Sequence, residues 1–266
     1  MKNKGADIEK LTALMERLRA PEGCPWDREQ TLATLVPFII EEAYEVVSAI
    51  DTGESIAIKD ELGDLLFQVV FASRIAEEAG DFSMKDVIDA SVEKMVRRHP
   101  HVFGDGKADT SEEVLMHWAE IKKEEKRKAG ISQGLLSGIP EVLPALLRAH
   151  KVSQKAARVG FDWQDVQEVF VKVTEELEEF KKEVLSRNAE GMEEEFGDLL
   201  FSLVNVSRFL EVNPEDALRK TITKFIRRFG HIEKRVAESG EDISTATMEE
   251  MDRLWKEAKA MEKKTS

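Results

Sequence analysis

Apolar residues recur at intervals of three and four through almost the whole chain, and no segment shows a convincing apolar–polar alternation of period two. The spacing predicts helices over 7–20, 33–51, 55–80, 84–98, 111–129, 141–158, 164–187, 190–211, 214–239 and 246–263. The expected fold class is therefore all-α. Glycine and proline fall mainly between these segments, and Gly130, Gly134, Gly138, Pro140 and Pro144 cluster near the middle. That cluster divides the chain into an expected N-terminal domain over 1–129, a linker over 130–145 and a C-terminal domain over 146–266.

The two halves repeat one another. Glu41-Glu42-Ala-Tyr-Glu45 and Glu61-Leu-Gly-Asp64-Leu-Leu-Phe67 are answered, 134 positions later, by Glu175-Glu176-Leu-Glu-Glu179 and Glu195-Phe-Gly-Asp198-Leu-Leu-Phe201. Nine of the fourteen positions in 61–74 are identical in 195–208. Lys94, Arg97 and Arg98 are answered at offset 130 by Lys224, Arg227 and Arg228. A repeat this long describes two related domains, not a solenoid of short units.

On a helical wheel Glu41 and Glu45 lie about 40° apart, and Glu42 lies about 60° from Glu45. Glu42 falls within the stripe formed by Leu35, Phe38, Ile39, Val46 and Ile50. The next segment is apolar nearly all round, from Leu62 to Phe71, and is expected to be buried. It nevertheless carries Glu61 and Asp64, which share a face at i, i+3. Burying ionised carboxylates costs several kcal/mol each unless they are paired or hold a metal. Ion pairs with Arg or Lys would meet that cost, as would a hard divalent cation. Recurrence of the whole constellation in the second half favours the cation. None of the five histidines has Glu three positions before it, which disfavours a di-iron site, and no calcium-loop motif occurs. All-oxygen ligation leaves Mg²⁺ or Mn²⁺, ions that commonly serve phosphate chemistry.

The net charge of −14 argues against a broad surface for a nucleic-acid polymer. An anionic substrate then needs local devices, and the Lys94/Arg97/Arg98 and Lys224/Arg227/Arg228 runs are candidates, either as phosphate ligands or as solvated charge runs paired with glutamates. Trp26, Trp163 and Trp255 either stack on a base or pack in the core. Cys24 is the single cysteine, which excludes a disulfide within the chain and fits a reducing compartment. The longest apolar stretch, around 65–72, is far short of the ~20 residues a membrane span needs, so a soluble, cytoplasmic protein without membrane partners is expected.

Jointly, Cys24-Pro-Trp-Asp27, the paired E-E-x-x-E and E-x-x-D motifs, Arg97-Arg-His-Pro-His-Val-Phe-Gly104 and Arg158-Val-Gly-Phe-Asp-Trp163 make the chain resemble the MazG family of nucleoside triphosphate pyrophosphohydrolases, of the all-α NTP pyrophosphatase superfamily. The resemblance implies tandem helical domains whose four-helix-bundle-like sites are completed in a homodimer, and hydrolysis of NTP to NMP and pyrophosphate with Mg²⁺. It implies metal ligands at Glu176, Glu179, Glu195 and Asp198, and at Glu42, Glu45, Glu61 and Asp64. Glu175 would be a spare carboxylate able to activate water. Lys224, Arg227 and Arg228 would contact the triphosphate, with Trp255 near the nucleotide.

Overall fold

A computed structural model describes residues 6–128 and 134–265; part of the expected linker, residues 130–133, lies outside these. The described residues are helices and turns, with no strand among them. They form two compact units, Met1–Gly130 and Ile131–Ser266.

In the first unit α1 (Ala6–Arg19) leads through the short α2 (Pro25–Glu29) to α3 (Leu32–Thr52) and α4 (Ser55–Ala79). Helix α5 (Met84–Arg98), the single turn α6 (Pro100–Phe103) and α7 (Ser111–Lys128) follow. Thr31 caps α3, and Gly53 ends it with φ of 73°, a left-handed turn that folds α4 back along α3. The core where α1, α3 and α4 meet is Met15, Leu35, Val70 and Phe71. Arg19, with only 7% of its side chain exposed, bonds to Glu78 at 2.7 Å and to the carbonyls of Asp27 and Gln30. It thereby ties the segment entering α3 to the far end of α4.

In the second unit α8 (Ala145–Ala157), α9 (Val166–Ser186), α10 (Ala189–Phe209), α11 (Pro214–Glu238) and α12 (Met248–Thr265) repeat the plan. Asp165 caps α9 by accepting from the backbone N–H groups of Gln167 and Glu168. The entering segment is held here by Arg208 of α10, whose guanidinium donates to Asp162 at 2.9 Å and to Ser153 Oγ at 2.8 Å. Ser153 in turn donates to the buried Asn205. Helix α4 has 25 residues and α10 has 21, and this difference accounts for the repeat offset falling from 134 to 130 between the carboxylates and the arginines.

The long helices follow the periodicity closely. Two differences have local causes. The helix expected from 141 begins at Ala145, because Pro140 and Pro144 cannot continue a helical hydrogen-bond ladder and Pro144 becomes the N-cap. The last helix begins at Met248, after a 3₁₀ turn over Ile243–Thr245 initiated by the Asp242 side chain. The N-terminal half of α4 corrects an expectation. Leu62, Leu66 and Val69 are 49%, 43% and 38% exposed within the chain, so the all-round apolar helix is covered on one side only. No described helix is long and apolar enough to cross a membrane.

The turn that Gly53 makes in the first unit is made in the second by Arg187, at φ of 56°. A non-glycine residue in this region carries roughly 1–2 kcal/mol of strain. Arg187→Gly is expected to stabilise the protein by about 1 kcal/mol in urea denaturation. An unchanged midpoint would count against this strain.

Candidate metal and nucleotide site

Each unit gathers its carboxylates on two consecutive, packed helices, α3 and α4 in the first and α9 and α10 in the second. In the first, Glu42, Glu45 and Glu61 each offer an oxygen within 4.8 Å of the others. In the second, Glu176, Glu195 and Asp198 do the same, as do Glu175, Glu176 and Glu179. Helical spacing explains the arrangement: Glu42 and Glu45, or Glu176 and Glu179, face the neighbouring helix one turn apart, and Glu61 and Asp64, or Glu195 and Asp198, face back. Glu176 is buried, at 5% exposure, while Glu42 is half-buried and Glu45 exposed.

The electrostatics register this crowding. Burial, then the charges of Asp64 and Glu45, raises Glu42 above the ordinary carboxylate range. Burial, then Glu45 and Asp64, raises Glu61. Burial, then Glu179, Glu176 and Asp198, raises Glu195. Converging carboxylates that resist ionisation in one another's company suit a hard divalent cation. Gln68 adds to the fit: it is nearly buried, its side chain is near enough to Glu42 to oppose the rise in that carboxyl's pKa, and its Oε1 has no hydrogen-bond partner among the described residues. The donor set is all oxygen and therefore fits Mg²⁺ or Mn²⁺.

Lys172, which lies outside the repeated motifs, joins the second cluster. Its ammonium lies 2.8 Å from Glu175 Oε1 and also pairs with Glu176. These two bonds raise its pKa above the ordinary lysine range. The signal was present in the sequence, since a lysine four residues before a glutamate on a helix is within pairing reach.

The expected phosphate ligands are placed differently from the carboxylates. Arg227 and Arg228 both bond to Glu262 of α12, at 2.6 Å each, and Arg97 and Arg98 both bond to Glu125 of α7, at 2.8 and 2.7 Å. The structure thus clasps each arginine pair to the helix that follows it. Lys94 and Lys224 are exposed one turn earlier. Trp255 lies under the Arg228 guanidinium, 5.4 Å from its ring centroid, and 5.2 Å from Phe225. With Phe229, Ile232, Met248, Met251 and Asp252 these rings line a cavity of about 300 Å³. Cys24 precedes α2 as its N-cap, with no side-chain bond to the helix, and Trp26 packs edge-on against Phe38.

Both clasps pull their glutamates down to about 2, Glu262 chiefly through Arg228 and Glu125 chiefly through Arg98. A depressed carboxylate stabilises the fold above its ordinary pKa near 4.5, and that contribution disappears as the pH falls through about 2. Urea unfolding of wild type and Glu262→Gln is therefore expected to differ by a constant amount above pH 4.5 and to converge near pH 2. Parallel curves across that range would show that the clasp contributes nothing.

A profile of the MazG nucleotide pyrophosphohydrolase domain matches residues 30–103 and again 164–232, the two stretches that carry the carboxylates and the arginine pairs. The chain belongs to the MazG family. It is 45% identical to the Thermotoga maritima nucleoside triphosphate pyrophosphohydrolase/pyrophosphatase MazG over 97% of this chain and 98% of that protein. It is also 45% identical to the Escherichia coli K12 nucleoside triphosphate pyrophosphohydrolase, over 96% and 98% of the two chains. A Bacillus subtilis protein named uncharacterized protein YabN is 46% identical over 97% of this chain, which spans 53% of that protein. The MazG match is present twice, in agreement with the tandem all-α arrangement.

Proposed function

We propose that this chain is a nucleoside triphosphate pyrophosphohydrolase that converts NTP and water to NMP and pyrophosphate. The observation that carries this reading is the convergence of carboxylate oxygens within 4.8 Å on facing helices of a MazG-family chain. Glu176, Glu179, Glu195 and Asp198 would hold Mg²⁺ or Mn²⁺, as would Glu42, Glu45, Glu61 and Asp64 in the first unit. Such an ion, when bound, neutralises phosphate oxygens and makes a coordinated water more acidic.

The remaining chemistry falls to the chain's own residues. Glu175, exposed beside the cluster, accepts the proton of the attacking water. The new bond joins water oxygen to the α-phosphorus; the bond that breaks links that phosphorus to the bridging oxygen, which leaves with pyrophosphate. Lys224, Arg227 and Arg228 offset the charge of the departing group. To do so, the arginines exchange the Glu262 carboxylate for phosphate oxygens. Trp255 and the apolar cavity beside it would take the base by stacking, with Asp252 the one charged group among the described residues of the lining. Stacking reads base identity weakly, which favours a broad or non-standard nucleotide range and a role in clearing the nucleotide pool of the cytoplasm. The uncovered Leu62, Leu66, Phe196, Leu200 and Leu203 favour a homodimer that completes each site.

The test is a panel of ordinary and deaminated NTPs with Mg²⁺, with NMP, NDP, phosphate and pyrophosphate resolved. NMP with pyrophosphate supports the proposal, and NDP with phosphate overturns it. Nucleotide-dependent stabilisation without turnover would instead make the chain a nucleotide-binding regulatory protein.

A further inference from the structure

The two carboxylate sites repeat their acidic residues but not what surrounds them. Phe38 stands in the first unit where Lys172 stands in the second, one turn before the leading carboxylates. Gln68 stands where the second unit has Ser202, one turn beyond Asp64 or Asp198. Lys172 pairs with Glu175 and Glu176, so the second cluster carries its own counter-ion. Among the described residues no ion pair involves Glu42, Glu45, Glu61 or Asp64, and Phe38 turns instead to Trp26, with ring centroids 5.6 Å apart.

Gln68 and Ser202 differ in the same direction. Ser202 is buried and satisfied, donating its hydroxyl to the Leu199 carbonyl at 2.8 Å. Gln68 is 9% exposed, lies one turn beyond Asp64 with its side chain near Glu42, and has an Oε1 without a partner among the described residues. A buried acceptor in that state is uncommon and calls for a donor or a cation. The first site thus combines uncompensated negative charge with a spare neutral oxygen, whereas the second has part of its charge already cancelled.

We propose that the two sites take up divalent cations differently. The first binds one from solution with no nucleotide present, Gln68 Oε1 adding a neutral oxygen to Glu42, Glu45, Glu61 and Asp64. The second takes its cation only together with a polyphosphate, whose negative charge draws Lys172 off Glu175 and Glu176. The physical reason is competition. An ammonium at ion-pair distance occupies the carboxylates a cation needs and repels the cation until another anion holds it. The inference rests on the reading of both clusters as cation sites. It makes the first unit a resident-ion site and the second a site that assembles with its substrate.

The experiment is a titration of the full chain with Mn²⁺, read by calorimetry and by the paramagnetic resonance of free Mn²⁺. It is run with and without a triphosphate whose α–β bridge is a non-hydrolysable methylene. Without nucleotide, a single ion per chain is expected, lost in Glu42→Ala and bound about 10–100-fold more weakly in Gln68→Ser. Lys172→Phe, or Lys172→Met should the first variant fold poorly, is expected to admit a second ion without nucleotide. In wild type the triphosphate is expected to admit it. Two ions without nucleotide in wild type, or an unchanged stoichiometry in both Lys172 variants, would overturn the difference between the sites while leaving the cation reading intact. No Mn²⁺ uptake under either condition would overturn the cation reading itself.

Discussion

Glu195→Gln is expected to lower nucleotide hydrolysis by about 10³-fold while making the cation-free protein more stable at neutral pH. The two effects have one cause. Glu195 lies with Glu176 and Asp198 in a cluster whose oxygens approach within 4.8 Å. A cation held there would supply several kcal/mol of charge stabilisation to a phosphoryl-transfer transition state, and each ~1.4 kcal/mol is worth tenfold in rate. Without a cation the same carboxylates repel one another. Burial and the charges of Glu179, Glu176 and Asp198 raise the Glu195 pKa, so the folded state binds its proton more tightly than the unfolded state does. Wild-type stability therefore falls as the pH rises through that raised pKa, and the amide removes this loss. Melting temperatures without divalent cation, taken across the acid-to-neutral range, should show the variant gaining on wild type as pH rises. Added Mg²⁺ should stabilise wild type more than the variant. A variant that keeps its activity would remove Glu195 from the site.

Phe71→Ala is expected to destabilise the protein by about 3–5 kcal/mol. Phe71 is 1% exposed and packs with Met15, Leu35 and Val70 where α1, α3 and α4 meet. Its ring meets Phe67 edge-on at 6.0 Å and lies 5.5 Å from the Arg19 guanidinium. Truncation leaves a cavity the size of the ring and deprives Arg19 of a surface that helps hold it against Glu78 and the segment entering α3. The measurement is urea denaturation followed by circular dichroism. A loss below about 1 kcal/mol would mean that this junction collapses freely onto the gap.

The carboxylates were legible because the chain states them twice at one spacing, and helical geometry converts that spacing into a shared face. Core helices were legible for the same reason. What escaped depended on partners distant in sequence or on elements too short to show a period. Helices α2 and α6 have five and four residues, and only Pro25 and Pro100 at their first turns betray them. Glu125 and Glu262 look like ordinary surface glutamates until the fold brings each to an arginine pair some 27–35 residues earlier. Lys172 does not stand out in the sequence, because an i, i+4 pair on a charged helix ordinarily signals only a solvated face. The half-covered state of α4 could not be read from its composition, which records that a helix is apolar but not how many neighbours it has.

The shortening of α10 relative to α4 bears on how such a duplicated chain tolerates insertions and deletions. The four residues by which these helices differ correspond to about 400° of rotation, only about 40° beyond a full turn. The last residues of the two helices therefore lie at nearly the same azimuth relative to the carboxylates they carry. Loss of two residues would have turned that end toward the opposite side. Within these helices, length has room to drift in steps of a turn. A residue-by-residue alignment reads that step as a gap, although it turns the helix end by only about 40°.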